Sequence, residues 1–291
     1  MKPPPFDYVR VDSVDAAIAA LRRSDGDARL LAGGQSLVPM LNFRLLRPSL
    51  LVDINGIAGL SDIEVAGDVV RIGALTRHRQ LEISPAIAAH LPVIATAMGH
   101  VAHLAIRNRG TIGGSLSHAD PAAELPMLAL LLDAELEIES AAGRRRLAAR
   151  DFFRGALSVA LAADDMLVEI RIPVLPAAAG WGFAEVARRS GDFALAAAAA
   201  TITVAAGVVR QVRLAVTGVG ETPQRMSEAE ALLAGQAVGP ALLVAVRDSV
   251  RSVVEPGSDL HASSDYRRHL VGVLAQRAVA DAWRRAAGGT A

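Results

Sequence analysis

Apolar and polar positions along the chain follow two periods, and the switches between them predict a mixed α and β architecture. Ser13 precedes an apolar-periodic segment, 14–21, which predicts an N-capped helix. Residues 29–31 and 50–54 are short apolar runs of strand length, and 63–72 predicts a hairpin broken by Gly67-Asp68. A helical stretch is expected over 84–103, with Pro85 near its start, where proline is tolerated. Residues 122–132 have helix character, and 135–139 alternates strictly as a strand. Ala142-Gly143 turns that strand back, and 166–172 alternates again up to Pro173. The stretch 173–182 sets two prolines and two glycines around alanines and is the best linker candidate. Beyond it, 201–204 and 208–216 predict antiparallel strands about Gly207. Ala196 to Ala200 favours helix by intrinsic propensity, while its neighbours favour strand. Strand is the reading, because small side chains let another layer approach closely. Three helices follow, over 227–233, 239–254 and 264–287. The last sets Leu270, Val273, Leu274 and Val279 against an arginine-rich side.

Composition narrows the possible functions. The 291 residues are enough for two or three domains with a sizeable core. Hydrophobic residues make up 52%, yet no apolar run approaches the roughly 20 residues of a membrane helix. Met1-Lys2-Pro3-Pro4-Pro5-Phe6 places prolines where a signal peptide needs an apolar segment, so a soluble, cytoplasmic chain is expected. Lys+Arg and Asp+Glu both number 30, which leaves no net field to attract nucleic acid or an acidic membrane. Aromatic residues, at 3%, are too few for base-stacking platforms. The chain has no cysteine. That excludes disulfides, thiolate zinc sites, a cysteine nucleophile and any cysteine-ligated iron–sulfur cluster on this chain, though not on a partner.

The candidate chemistry centres on two diglycine loops, Ala32-Gly33-Gly34-Gln35-Ser36 and Thr111-Ile112-Gly113-Gly114-Ser115. A Gly-Gly step lets backbone approach a ligand closely and turn its N–H groups toward one point. Such N–H groups form an anion site. Two loops of this kind suggest a diphosphate held from both sides, hence a dinucleotide. Neither loop is a Rossmann fingerprint or a P-loop, since the third glycine and the Gly-Lys-Ser/Thr step are missing. A plain tight turn uses the same dipeptide, and on the residues alone both readings stand. Asp120 and Glu124 follow the second loop and suit hydrogen bonds to a ribose or adenine. They equally suit a helix start, with Asp120 as N-cap, Pro121 at N1 and Glu124 at N4. Arg107 and Arg109 are placed to screen a phosphate or simply to be solvated. His78, His100 and His103 lack metal-ligand spacing and are assigned to surface or packing.

At this point the motifs resemble a known family. Residues 32–45, Ala-Gly-Gly-Gln-Ser-Leu-Val-Pro-Met-Leu-Asn-Phe-Arg-Leu, look like the first FAD loop of the medium, flavoprotein subunit of molybdenum hydroxylases. That family includes the xanthine dehydrogenase and aerobic carbon monoxide dehydrogenase flavoproteins. Residues 107–116, followed by Asp-Pro-Ala-Ala-Glu-Leu-Pro at 120–126, resemble the second FAD loop. The segments 167–173, 188–194 and 259–268 recur in the expected order. The resemblance implies an α+β fold: a vanillyl-alcohol-oxidase-type FAD-binding domain over 1–175, then a smaller carboxy-terminal domain over 180–291. The first would divide into two α+β subdomains, about 1–56 and 57–175. The second would be an antiparallel sheet with helices. It implies non-covalent FAD, its pyrophosphate gripped by backbone N–H groups of Leu30, Leu31, Ala32, Gly33, Gly34, Gln35, Ser36 and Leu37. Thr111, Ile112, Gly113, Gly114 and Ser115 would grip it from the other side. Glu124, with Asp120 close by, falls on the family's acidic position, and Leu167 on a position whose backbone contacts the isoalloxazine. The [2Fe–2S] clusters and the molybdopterin would sit on a small and a large partner subunit. Gln35 stands where carbon monoxide dehydrogenases tend to carry histidine, which disfavours carbon monoxide as substrate. Leu195 replaces a lysine of eukaryotic xanthine dehydrogenases. A self-sufficient flavin oxidase of the vanillyl-alcohol type and a flavin-free scaffold are the alternatives.

Overall fold

Three larger sheets and a two-stranded one, Phe153–Gly155 with Ser158–Val159, carry the computed structural model, which describes residues 2–288; Met1 and residues 289–291, at the outer ends of the two expected domains, lie outside the described residues. The first sheet sets Leu50–Asp53 between Asp7–Arg10 and Ala28–Leu31, all parallel. Helix Val14–Arg23 covers it, capped by the Ser13 hydroxyl, which accepts from the Ala16 N–H. Ala17, Ala20 and Leu21 of that helix pack with Val52 and, from the next sheet, with Met166 and Val168. Strand Asp7–Arg10 was not legible in the sequence because all four of its residues are exposed and carry no alternation.

The second sheet runs Ile63–Ala66, Val69–Gly73, Met166–Pro173, Glu135–Ser140, Gly143–Ala148, antiparallel throughout. Its central strand serves two cores. Met166 and Val168 face the first sheet, whereas Leu167, Ile170 and Ile172 face the larger core. The pairing register shifts between Leu167 and Glu169, and this bulge changes which parity points inward.

Short helices pack on that sheet. The expected helix over 84–103 is broken into Pro85–His90 and Pro92–Met98. Pro92 bars its predecessor from helical geometry, and Leu91 accordingly has φ −139° and ψ 53°. Helix His78–Ile83 precedes them, its Gln80 side chain accepting from the Arg77 N–H. Glu124–Leu131 starts two residues later than expected, with Ala123 as its N-cap.

The third sheet runs Gly180–Ala187, Ala194–Ala205, Val208–Thr217, Gln224–Arg225, so the alanine run is strand. Ala197 and Ala199 face the larger core, while Ala196, Ala198 and Ala200 lie under helix Ser264–Ala286. The helix sits so close that a Cβ on Gly180 or Gly182 would collide with the carbonyls of Ala282 and Ala278. Helices Ser227–Leu233 and Pro240–Val253 complete this layer. No helix among the described residues is long and apolar enough to cross a membrane.

Candidate functional site

The parallel strand Ala28–Leu31 delivers the first diglycine loop at its carboxyl end, the usual side for ligand crevices, and the chain then enters helix Leu37–Asn42. Gly34 takes φ +73°, a left-handed conformation that glycine adopts without strain. The loop's carbonyls are tied down from behind. Gln35 Nε2 donates to the Gly33 carbonyl at 2.9 Å, and Asn55 Nδ2 donates to those of Leu31 and Ala32 at 3.2 and 2.9 Å. The backbone N–H groups of Gly33, Gly34, Gln35, Ser36 and Leu37 have no acceptor among the described residues. Such a run of free donors, leading into a helix N-terminus, suits an anion.

The second diglycine segment is the first turn of helix Ile112–His118, and its N–H groups are already committed. Ile112 N–H donates to the Thr76 carbonyl, Gly113 N–H to that of Ala74, Gly114 N–H to Thr111 Oγ1, and Ser115 N–H to the Thr111 carbonyl. In this segment the N–H groups of 112–115 are taken, the Thr111 N–H has no acceptor among the described residues, and Thr111 and Ser115 add hydroxyls. The glycines here serve protein contacts. A Cβ on Gly113 would lie 2.6 Å from Ala74 Cβ, and one on Gly33 would strike the Arg109 carbonyl and sit 2.8 Å from Gly110 Cα. Gly33 thus lets the first loop lie against 109–110, and Gly113 lets the second turn lie against Ala74.

Arg77 locks them together. It donates to the Arg109 carbonyl beside Gly33 and, at 2.6 Å, to Asn55 Oδ1, the same Asn55 that holds the first loop. Below it, buried His78 donates from Nε2 to the Thr111 carbonyl at 3.0 Å. Burial pushes this imidazole down to about 4, so it is neutral at pH 7. Sequence reasoning missed Arg77 and Asn55, which belong to no motif. The one trace of Asn55 is that it follows a strand and precedes a glycine.

A cavity of about 610 Å³ opens between these elements. Every residue expected to contact FAD lines it except Leu31 and Ile112, which lie in the wall behind. Asp120 caps a turn ahead of the helix, accepting from the Ala122 N–H at 2.9 Å, and is not the N-cap itself. Glu124 is buried at the first position of that helix rather than the fourth. Leu167 sits at the bulge. Arg107 is not available to a phosphate, because it pairs with Glu82 at 3.0 Å and donates to the carbonyls of Val101 and Ala102. Gly191, Asp192 and Phe193, from the third sheet's first hairpin, also line the cavity.

Comparison with known proteins agrees with this geometry along the whole chain. Residues 4–175 match the family described as the FAD binding domain in molybdopterin dehydrogenase. Residues 181–282 match the CO dehydrogenase flavoprotein C-terminal domain. The 6-hydroxypseudooxynicotine dehydrogenase complex subunit alpha of Paenarthrobacter nicotinovorans is 41% identical over 98% of this chain and 97% of its own length. The nicotine 6-hydroxylase medium subunit of the same organism is 40% identical over 98% of this chain and 100% of its own. Among solved structures, the carbon monoxide dehydrogenase of Hydrogenophaga pseudoflava superimposes with a TM-score of 0.96 at 38% identity, covering 98% of this chain and 99% of that one. The chain therefore belongs to the family of FAD-binding medium subunits of molybdenum hydroxylases.

Proposed function

We propose that this chain relays electrons from [2Fe–2S] clusters of a small partner subunit, through FAD, to an external acceptor, after substrate oxidation at a molybdenum centre on a large partner subunit. The observation that carries the FAD site is the row of unpaired N–H groups at 33–37, on residues that line the same cavity as Leu167 and Glu124. In this reading residues 33–37 take the pyrophosphate, with Leu30, Leu31 and Ala32 forming the strand end behind them. Thr111 and Ser115 offer hydroxyls, Gly113 and Gly114 keep the facing turn close, and Ile112 backs it. Asp120 and Glu124 receive cofactor hydroxyl or N–H groups, and the Leu167 backbone borders the isoalloxazine. Bound FAD supplies the redox chemistry, and the protein supplies position and electrostatics. No acid–base dyad acting on a substrate is required of this chain.

Two units follow from the same reading, 1–175 divided near 56 and 180–291, and their cavity lies where they meet. We place the chain in the cytoplasm, where its relay partners would assemble with it. The flavin-free scaffold leaves the unpaired donors at 33–37 without a purpose.

FAD is expected to be non-covalent, since no cysteine exists to link the flavin and neither diglycine segment holds a histidine. Acid precipitation of the purified yellow chain should leave the colour in the supernatant. Colour kept in the pellet would refute this. Arg77→Ala should weaken FAD binding by about tenfold to a hundredfold, the worth of a hydrogen bond to a charged group. Flavin fluorescence titration reads it, and unchanged affinity would deny Arg77 its part in holding the two segments together.

A further inference from the structure

Segment 259–268 lines no part of the cavity, yet it carries a buried charge. Arg267, on the first turn of helix Ser264–Ala286, is 8% exposed. A guanidinium keeps its charge inside a protein, so its burial demands partners. Arg267 Nη2 donates to Asp259 Oδ2 at 2.7 Å, and Asp259 is itself held by the N–H groups of His261 and Ala262. Arg267 Nη1 donates to two carbonyls, that of Leu195 at 2.7 Å and that of Gly218 at 3.1 Å.

Both carbonyls fall where the pairing of the third sheet stops. Leu195 is the residue skipped when strand Ala194–Ala205 shifts register against Gly180–Ala187, since Val186 pairs with Ala196 and Ala187 with Ala194. Pairing of Ala194–Ala205 with Val208–Thr217 ends at Ala197 and Thr217, so Leu195 and Gly218 lie beyond it. Gly218 takes φ +79°, and a Cβ on it would lie 2.9 Å from the Leu195 carbonyl oxygen. The two carbonyls are thus close enough for one guanidinium nitrogen to serve both.

The other side of Gly218 is bound to the cavity wall. Its N–H donates to the Pro121 carbonyl at 2.9 Å, and the hydroxyl of buried Thr217 donates to the same oxygen at 2.8 Å. Pro121 brings no N–H of its own, so its carbonyl is the handle by which the third sheet holds this turn. The turn sets two cavity-lining carboxylates. Asp120 accepts from the Ala122 N–H at 2.9 Å, the Ala123 N–H returns to the Asp120 carbonyl at 3.0 Å, and Glu124 opens the next helix. A continuous run of hydrogen bonds leads from Asp259 through Arg267 and Gly218 to Pro121.

We propose that Arg267 is a positioning residue for the cofactor: from the carboxy-terminal helix it holds the Thr217–Gly218 turn against Pro121 and so fixes the cavity wall that carries Asp120 and Glu124. This rests on the reading that these two carboxylates contact bound FAD. The direction of the effect follows from the geometry. Without the guanidinium, the Leu195 and Gly218 carbonyls lose their donor and Gly218 can shift off Pro121. A wall that shifts presents its carboxylates to the cofactor less often, so affinity falls. Lysine cannot substitute, because one ammonium does not reproduce the planar fork that meets Asp259 and two carbonyls together.

The test is FAD affinity of the purified full chain, titrated by flavin fluorescence. Arg267→Met should weaken binding about tenfold, the scale of one hydrogen bond to a charged group, and Arg267→Lys should stay nearly as weak. Thr217→Val, which removes the second donor to Pro121, should weaken it similarly, and Thr217→Ser, which keeps the hydroxyl, should restore it. If both residues act through the one turn, the double variant Arg267→Met/Thr217→Val stays within a few fold of either single one. Separate structural losses would instead multiply to about a hundredfold. Arg267→Lys carries the same cycle if Arg267→Met does not fold. Wild-type affinity in Arg267→Lys, or multiplied losses in the double variant, would overturn the proposal. Asp120→Ala and Glu124→Ala separate the two layers. Full affinity in both removes the reading that these carboxylates contact FAD, and the proposal with it. Weakened binding there, with inert Arg267 and Thr217 variants, removes the proposal alone.

Discussion

Gly33→Val leaves the chain with almost no bound flavin. An ideal Cβ at this position strikes the Arg109 carbonyl oxygen, lies 2.8 Å from Gly110 Cα and comes within 3.0 Å of the Arg109 carbonyl carbon. All three obstacles are backbone, which cannot swing aside as a side chain can. Overpacking of this kind costs about 1–3 kcal/mol even in a core that adjusts. Here the adjustment itself is damaging, because it moves the 33–37 donors away from the turn at 109–111. FAD affinity should fall about a hundredfold, equivalent to about 3 kcal/mol. The neighbouring glycines should be milder. Gly34→Val strains a left-handed residue, about 1–3 kcal/mol, but its Cβ meets the movable side chains of Leu31 and Val38. Gly114→Val crowds Thr111 Oγ1 at 2.8 Å and disturbs a cap worth about 1 kcal/mol. The ratio of visible flavin absorbance to protein absorbance after gel filtration orders the three variants. Full occupancy in Gly33→Val would mean that the two segments need not touch to bind the cofactor.

The same glycines show what the sequence could and could not reveal. The diglycine steps at 33–34 and 113–114, singled out in the sequence, both line the cavity. The dipeptide alone does not give their mechanism, because a glycine needed for close approach to protein looks the same as one needed for close approach to ligand. Only the partners of the N–H groups distinguish them, free at 33–37 and committed at 112–115. Strands with an alternating buried face, such as Met166–Pro173, and the glycine-centred hairpins were legible from their period and turn residues. Strand Asp7–Arg10 was not, having no buried face, nor was the break at Leu91 within an apolar-periodic run. Arg77 and Asn55 act through contacts across 22 to 32 positions of chain, from Asn55 to Arg77 and from Arg77 to Arg109. No local pattern records such pairings.

The largest functional effect should come from removing the partners. This chain has no cysteine and, among its described residues, no group of His, Asp and Glu able to hold a metal ion. In the relay reading it therefore depends on other subunits both to oxidise substrate and to deliver electrons. Electron delivery requires close approach, so one face beside the cavity must dock the iron–sulfur subunit. The turn at 188–193 is the region we favour. Phe193 lines the cavity yet is 62% exposed, and Arg188 bonds to His261 at 3.0 Å, tying this turn to the loop that carries Leu260. An exposed aromatic beside charged rim residues is the composition of an interface anchor. Mixed anaerobically with its prereduced iron–sulfur partner, the FAD-loaded chain should lose its visible flavin band rapidly. At FAD loading matched to wild type by reconstitution, Phe193→Ala should slow that bleaching, because the substitution removes a docking contact. Without the partner, aldehydes, alcohols and N-heterocycles should leave the band intact. Bleaching of the isolated chain by one of these at a comparable rate would replace the relay with the self-sufficient oxidase.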